Sequence, residues 1–373
     1  MTPPPPPPAG PTVSRRHFLS RFSLGTAALF ALRRSAAAAE PPARKLGVAL
    51  VGLGNYSTHE LGPALRLTQH CRLAGVVTGS AEKGRQWARS YDFPEKSIYH
   101  YNTMARLADN PDIDIVYVVT PNALHAEHAI AAARAGKHVI SEKPFTATVT
   151  QAETALAAFR AAGIRHSIGY RLHFDPLHEE LRRLARTREF GPFRQLAGEF
   201  AFVMGNPQWR AEHALAGGGP LMDLGVYLIQ ESCMAAGAAP VAVTARELPK
   251  RRPEFFRDVE EGIEWKMEFA DGARGACSTS YNDSHDHFRA EAKAGWYEVG
   301  PAFGYRGLKA ATSRGPVKAA PLNQQAAQMD DFAQCIRENR PSRVPGEMGL
   351  RDMKIIEAIY QSAATGRRVA VPA

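Results

Sequence analysis

The sequence predicts two domains: an α/β N-terminal domain built on a parallel sheet, then an α+β C-terminal domain with a large, mostly antiparallel sheet. Three observations point to this. From residue 46 to about 169, short apolar runs alternate with segments of helical period, the pattern of βαβ units. Beyond them the strands become longer and several alternate, with Asp271-Gly272 as a hairpin signal between two. The length of 373 residues, 45% hydrophobic and 22% charged, suffices for two cores.

In order, strands are expected at 47–51, 73–77, 115–119, 138–140 and 166–168, with helices at 61–68, 81–91, 123–135 and 150–162. The second half offers strands at 194–203, 241–248, 262–269 and 274–281, interrupted by a helix at 220–235. A segment rich in Gly, Pro and basic residues, 301–321, reads as a long loop, and helices at 324–339 and 347–365 close the domain. The domains are placed at 40–168 and 169–373.

Residues 1–39 read as a targeting segment outside the fold. Ser14-Arg15-Arg16-His17-Phe18-Leu19 is a twin-arginine export motif, followed by a weakly apolar stretch 22–32, Arg33-Arg34 and the small residues 35–39. At ~1.5 Å per residue that stretch spans roughly 17 Å, short of a ~30 Å hydrocarbon core, so it is not expected to span a membrane. The expectation is a periplasmic protein exported folded and matured near Glu40. Removing residues 1–39 takes away five arginines and no carboxylate, so the formal charge of +9 falls to +4. The basic balance belongs mostly to the signal, and nucleic-acid binding loses its main support. Cys71, Cys233, Cys277 and Cys335 are widely spread and read as isolated thiols. His100, His125, His128, His173 and His178 give no ligand spacing on one element, so no metal is expected.

Gly52-Leu53-Gly54-Asn55-Tyr56-Ser57 follows the first strand and precedes a helix. There a Gly-x-Gly turn lets a pyrophosphate approach the backbone and a helix N-terminus, which marks a Rossmann domain. Ser57 stands where a third glycine usually packs helix on strand. After the second strand, Val77-Thr78-Gly79-Ser80 offers no carboxylate to the ribose hydroxyls. Thr78 and Ser80 present hydroxyls and Lys83 a positive charge, which favours NADP over NAD; Lys83 reads equally as a solvated helix residue. Thr120-Pro121-Asn122-x-x-His125 follows strand 115–119 and Glu142-Lys143-Pro144 follows strand 138–140. Both sit at carboxyl ends, where such sheets bind ligands. Asp223 and Tyr227, four residues apart on the expected helix, share a face.

These motifs resemble the Gfo/Idh/MocA oxidoreductase family. Gly169-Tyr170-Arg171-x-His173-x-Asp175-Pro176, Gln208-Trp209-Arg210, Gly217-Gly218-Gly219-x-Leu221-Met222-Asp223-x-Gly225-x-Tyr227 and Pro345-Gly346-Glu347 extend the likeness to its glucose–fructose oxidoreductase branch. The resemblance implies NADP-dependent oxidation of a glucose-like aldose to its lactone, then reduction of a fructose-like carbonyl sugar by ping-pong hydride transfer. It implies catalytic roles for Lys143, Asp223 and Tyr227. It also implies a cofactor-binding set of Gly52, Gly54, Asn55, Tyr56, Thr78, Ser80, Lys83, Pro121, Asn122, His125, Glu142, Lys143, Arg171, Trp209 and Arg210, although Trp209 reads equally as core. Oxidising an alcohol removes a hydroxyl proton as hydride leaves carbon, and Tyr227 suits that acid/base task. Lys143 would favour its anion, and Asp223 would orient Lys143 or a sugar hydroxyl. The branch's long Pro-rich arm shrinks here to residues 40–45, which points to a homodimer through the C-terminal sheet face as well as to the branch's homotetramer. Two other readings stay open: an exported NAD-dependent glycosidase of the same superfamily, and a non-catalytic sugar- or dinucleotide-binding protein.

Overall fold

The structure is a computed structural model that describes residues 1–5 and 44–372. Arg15 and Arg16 and the rest of the export signal from residue 6 onward lie outside the described residues; residues 1–5 are exposed and without regular structure.

Six parallel strands form the first sheet: β1 (Leu46–Val51), β2 (Cys71–Val77), β3 (Ile98–Tyr99), β4 (Ile115–Val118), β5 (His138–Ser141) and β6 (His166–Ile168). They pair in the order β3-β2-β1-β4-β5-β6. The order reverses between β1 and β4, so the crevice of such a sheet opens at the loops after those two strands. β3 is an addition to the sequence expectation, too short at two residues to show alternation. A π turn, Ser57–Leu61, runs into helix α1 (Gly62–Leu67), and α2 (Ala81–Tyr91), α3 (His125–Arg134) and α4 (Val149–Ala162) follow.

Strand alternation sends side chains to both faces. Ala49, Val51, Val116, Val118 and Val139 pack with α3 and α4, whereas Val48, Leu50, Ile115, Tyr117 and Ile140 pack with α1 and α2. At ~1.5–3 kcal/mol per fully buried aliphatic side chain, both layers contribute heavily.

The second sheet has nine strands: β7 (Gln195–Ala201), β8 (Ala242–Glu247), β9 (Gly262–Glu268), β10 (Arg274–Ser280), β11 (His285–Ala292), β12 (Gly295–Val299), β13 (Ala310–Thr312), β14 (Gly315–Val317) and β15 (Val369–Ala370). Their order is β14-β13-β12-β11-β7-β10-β9-β8-β15, antiparallel except for the parallel pair β7 and β10. The loop expected over 301–321 is thereby corrected, since β13 and β14 form a hairpin within it. Gly315 and Pro316 hid that hairpin, and an edge strand tolerates both.

Helices α5 (Pro176–Thr187), α6 (His213–Ala216), α7 (Val226–Ala236), α8 (Gln324–Arg337) and α9 (Gly346–Thr365) complete the chain. Helices α5, α7 and α9 contribute Leu181, Leu228 and Ile355 to the core beneath Val243, Ile263, Trp265 and Phe288 of the sheet. Helix α8 instead returns to the first sheet, adding Ala326, Met329 and Phe332 to the α1 and α2 layer. Asp330 of α8 fastens it there by accepting from the Gln69 and His70 N–H groups at 2.9 and 2.8 Å. All four cysteines are buried and unpaired. Among the described residues, no helix is long and apolar enough to cross a membrane.

Candidate active site

Two neighbouring cavities open at the β1/β4 reversal. A groove of about 490 Å³ runs along Gly52, Gly54, Asn55, Tyr56, Thr78, Lys83, Tyr101 and Pro121. A pocket of about 420 Å³ is lined by Lys143, Asp223 and Tyr227 and by the aromatic walls Phe200, Phe202 and Phe303. Tyr56, Val119, Thr120, Gln208, Trp209 and Arg210 line both, so the two form one continuous site. A larger concavity of about 690 Å³ lies on the outer face of the second sheet and contains none of the predicted site residues.

The groove fits a dinucleotide. Gly52 has φ +98°, and a Cβ there would meet the Val119 carbonyl oxygen at 2.9 Å. Nothing of the protein lies within 4 Å of a Cβ on Gly54, so the backbone there is open to a ligand's close approach. Ser57, in the third-glycine position, is fully buried and turns its hydroxyl back to the Gly52 carbonyl at 2.6 Å. The hydroxyl is thus satisfied by the loop itself, and the turn loses nothing by the substitution. Lys83 reaches across from α2 to donate to the Leu53 carbonyl at 3.2 Å, which holds its ammonium at the edge of the groove. The Ser80 hydroxyl accepts from the Lys83 N–H as the N-cap of α2, which leaves its own O–H to donate elsewhere.

The pocket's charged centre is Asp223. Its Oδ1 accepts from Lys143 Nζ at 3.1 Å, and its Oδ2 accepts from Arg210 Nε at 3.0 Å and from the Tyr281 hydroxyl at 3.2 Å. Lys143 also donates to the Asp223 carbonyl at 2.7 Å. Burial works to raise the Asp223 carboxyl, but the charges of Lys143 and Arg210 outweigh it and hold the group at about 2. Burial likewise opposes the Lys143 ammonium, yet Tyr227, Asp223 and Glu142 together keep its pKa above the ordinary lysine value. Tyr281 is pushed well up by burial and then by Asp223, so it remains a phenol and a donor.

Tyr227 follows Asp223 across a π turn, Leu221–Gly225, where a regular α-helix was expected. Single π turns recur at functional sites. The Lys143 ammonium stands 4.8 Å from the centre of the Tyr227 ring, and the Arg171 guanidinium carbon 5.3 Å. Phe200 and Phe303 close on the same ring at 5.7 and 5.8 Å.

Four more residues of the predicted cofactor set, Arg171, His125, Asn122 and Glu142, line the pocket and also bond the segments around it. Arg171 is buried beneath Tyr227 and Tyr305; its two terminal nitrogens donate to Gln324 and to the carbonyls of Phe303 and Gly304, while its buried Nε has no partner among the described residues. The His125 ring nitrogens meet the Pro144 and Thr120 carbonyls, both at 2.8 Å, so the ring ties the Lys143 loop to the β4 loop. Burial lowers its pKa to about 4 despite those carbonyls. Asn122 donates to the Ala216 carbonyl at 2.9 Å. Glu142 accepts from the Tyr117 hydroxyl at 2.7 Å and the Lys143 N–H at 3.2 Å, and burial raises its carboxyl.

Trp209 and Arg210, on a short turn at Trp209–Ala211, stack with the guanidinium carbon 4.4 Å from the indole centre and face both cavities. The sequence reading missed Tyr101, Tyr281, Phe303 and Tyr305. The aromatic pair in Phe303-Gly304-Tyr305 was the available signal for the last two.

This geometry has recorded counterparts. Residues 46–170 match the family described as "Oxidoreductase family, NAD-binding Rossmann fold". Residues 178–298 match "GFO/IDH/MocA C-terminal domain", and 318–371 match "Oxidoreductase family, C-terminal alpha/beta domain". The crystal structure of an aldose-aldose oxidoreductase from Caulobacter crescentus, complexed with glycerol, is 41% identical with a TM-score of 0.86, covering 88% of this chain and 100% of that one. The chain belongs to the Gfo/Idh/MocA oxidoreductase family. Another Gfo/Idh/MocA relative is the NADP(+) D-xylose 1-dehydrogenase of Haloarcula marismortui, 29% identical over 336 residues, which are 85% of this chain and 91% of that protein. Levoglucosan dehydrogenase, solved with NADH and levoglucosan, shares the Gfo/Idh/MocA fold at 23% identity and TM-score 0.77, covering 88% of this chain and 100% of that one. As a Gfo/Idh/MocA member the chain is an oxidoreductase, and its N-terminal domain is the nicotinamide-dinucleotide module.

Proposed function

We propose that this family member is an NADP-dependent sugar oxidoreductase. It oxidises a glucose-like aldose to its lactone and then reduces a fructose-like carbonyl sugar, returning the same hydride by a ping-pong cycle. The observation that carries this reading is the convergence of Lys143, Asp223 and Tyr227 in an aromatic-walled pocket that is continuous with the Gly52 and Gly54 groove. The similarity to an aldose-aldose oxidoreductase and to an NADP(+) xylose dehydrogenase supports the substrate class and the cofactor.

Gly52, Gly54, Asn55, Tyr56 and Pro121 would hold the dinucleotide, Thr78 and Lys83 would favour a 2′-phosphate, and Trp209 and Arg210, which line both cavities, would serve sugar and cofactor. When bound, it supplies the hydride acceptor and donor. The phenolate of Tyr227 takes the proton from the sugar hydroxyl in oxidation, and the phenol so formed returns it in reduction. Lys143 stays cationic near neutral pH, because its neighbours hold its pKa above the ordinary lysine value and that of Asp223 well below the usual carboxylate range. The ammonium is therefore a fixed charge for the developing alkoxide. The aromatic walls exclude water and offer apolar faces to the sugar ring.

The test is single-turnover absorbance at the nicotinamide band after mixing freshly purified protein with glucose or xylose, with NADP and with NAD. Reduction of NADP, discharged by fructose, is expected. Failure of every aldose to reduce it would overturn the reading. The proposal includes periplasmic residence on the residue 14–39 pattern, checked by fractionating the Arg15→Lys, Arg16→Lys variant. It also includes assembly of two or four copies through the outer face of the second sheet.

A further inference from the structure

The run Gly217-Gly218-Gly219 precedes the segment that carries Asp223 and Tyr227, and the chemistry above gives it no task. Its neighbours explain it. A Cβ on Gly218 would meet the Tyr360 hydroxyl at 2.0 Å, and one on Gly219 would meet the Glu260 backbone oxygen and carboxyl carbon at 2.2 and 2.9 Å. The glycines are there because a carboxylate and a phenol press against the start of this segment.

Glu260, only 5% exposed, accepts from the Gly219 N–H at 2.9 Å with one oxygen. Its other oxygen accepts from the Leu221 N–H at 3.0 Å and from the Tyr360 hydroxyl at 2.9 Å. The π turn has no side-chain cap of its own, since its N-cap residue, Pro220, carries no side-chain acceptor. Glu260, two residues before β9, supplies from a distant part of the chain the acceptor that a local Ser, Thr, Asp or Asn usually provides. Burial raises the Glu260 carboxyl, and the Gly219 and Leu221 N–H groups and the Tyr360 hydroxyl oppose it by favouring the anion. The Gly219 carbonyl accepts from the Met222 and Asp223 N–H groups at 3.1 and 3.4 Å. Glu260 therefore grips the residue from which the Asp223 backbone hangs.

We propose that Glu260, backed by Tyr360, is a positioning residue for the reaction: it fixes the start of the Asp223–Tyr227 segment so that Asp223 meets Lys143 and Arg210 together. The inference rests on the oxidoreductase reading. It gives Glu260 no contact with substrate or cofactor, because Glu260 and Tyr360 line a separate cavity of about 510 Å³.

Glu260→Gln keeps the volume and sets an amide donor against one of the two N–H groups. Displacing a catalytic group by ~1 Å costs up to about 100-fold, so a roughly 10- to 100-fold lower single-turnover rate is expected. The aldose KM and the NADP affinity should stay near parental values, since the loss is confined to the transition state. Tyr360→Phe should be milder, and the double variant should be little slower than Glu260→Gln alone, because both act through one carboxylate. A folded Glu260→Gln protein with the parental rate, or one with kcat unchanged and KM raised, overturns the proposal. If Glu260→Gln does not fold, Tyr360→Phe decides: a several-fold fall in kcat at constant KM supports the role, and a parental kcat overturns it. A crystal structure of either variant reads the same inference without the reaction. A Lys143 Nζ to Asp223 Oδ1 separation grown well beyond 3.1 Å supports it, and an unchanged pair overturns it even if no aldose proves to be a substrate.

Discussion

Asp223 accepts hydrogen bonds from three different parts of the chain, and that is the most consequential fact at the scale of single residues. Lys143 and Arg210 share one buried anion, so removing the anion leaves two cations facing each other. Truncating one member of such a buried set costs ~3–5 kcal/mol, and Asp223→Asn is accordingly not a gentle change. The Asp223 carboxyl is depressed, so its contribution to stability is present above the unfolded value near ~3.9 and is lost only as pH falls through about 2. An acid limb in the rate at pH 4–6 would therefore belong to another group. Tyr227→Phe is the sharper probe. It keeps the ring between Phe200 and Phe303 and deletes one oxygen, so NADP should still bind while single-turnover reduction by an aldose falls ~10²–10⁴-fold. A parental rate in that variant would remove Tyr227 from the mechanism. Lys143, Asp223, Tyr227, Trp209 and Arg210 were legible in the sequence because they stand in ordered motifs at strand ends and on one helix. Arg171 and His125 were legible as members of motifs, but their bonds to the Phe303, Gly304 and Pro144 carbonyls were not, because no spacing encodes a remote carbonyl.

At the scale of elements, the βαβ half was readable almost residue by residue, since strands buried on both faces are continuous apolar runs and α2 carries its own cap. The second half was less so. β13 and β14 are three residues each, with Gly and Pro inside, and α5 escaped notice although Asp175 caps it and Pro176 opens it. That helix matters, because it carries a buried clamp. His178 Nδ1 lies 2.6 Å from Glu231 Oε1 of α7, and Nε2 lies 2.9 Å from the Ala302 carbonyl, just before Phe303 and Tyr305 of the pocket. The imidazolium, which donates from both nitrogens, satisfies both acceptors, and here one of them is a carboxylate. Burial pulls His178 down, but Glu231, with Asp175 behind it, outweighs burial and raises the ring above its ordinary value. A raised histidine contributes stability that is fully present below the unfolded value near ~6.5 and is lost as pH rises through the folded one. The melting temperature should therefore fall on the alkaline side of neutrality, and Glu231→Gln should flatten that slope. His178→Leu strands the Glu231 carboxylate and should cost about 3–5 kcal/mol at pH 6. A melting curve for Glu231→Gln with the parental pH dependence would assign the slope to other groups.

For the whole molecule, the two sheets make different uses of their faces. The first is covered on both sides by helices, including α8, which the second half of the chain lends back to it. Among the described residues, the second is covered by helices on one side only. Its outer face presents Glu199, Arg246, Glu264, Lys266, Ser278 and His287 around the concavity of about 690 Å³. A solvated antiparallel sheet also shows a polar outer face, so polarity alone does not decide for assembly. The middle of the face is more telling: Ala197 of β7 and Ala276 of β10 are direct partners in the parallel pair, a small apolar floor ringed by charges. In the proposed assembly such a floor would receive the side chains of a second copy, and a self-complementary two-fold contact of roughly 1,200–2,000 Å² would fit on a sheet this wide. Arginine at both Ala197 and Ala276 would place two cations in that floor without touching the inner face, where Leu196 and Cys277 hold the core. Sedimentation of the parent should give at least twice the chain mass. The double variant should sediment as one copy while still binding NADP, because the groove at Gly52 and Gly54 belongs to the other sheet. A parent that sediments as a single copy, or a variant that keeps the parental mass, would show that this face meets solvent rather than a second chain.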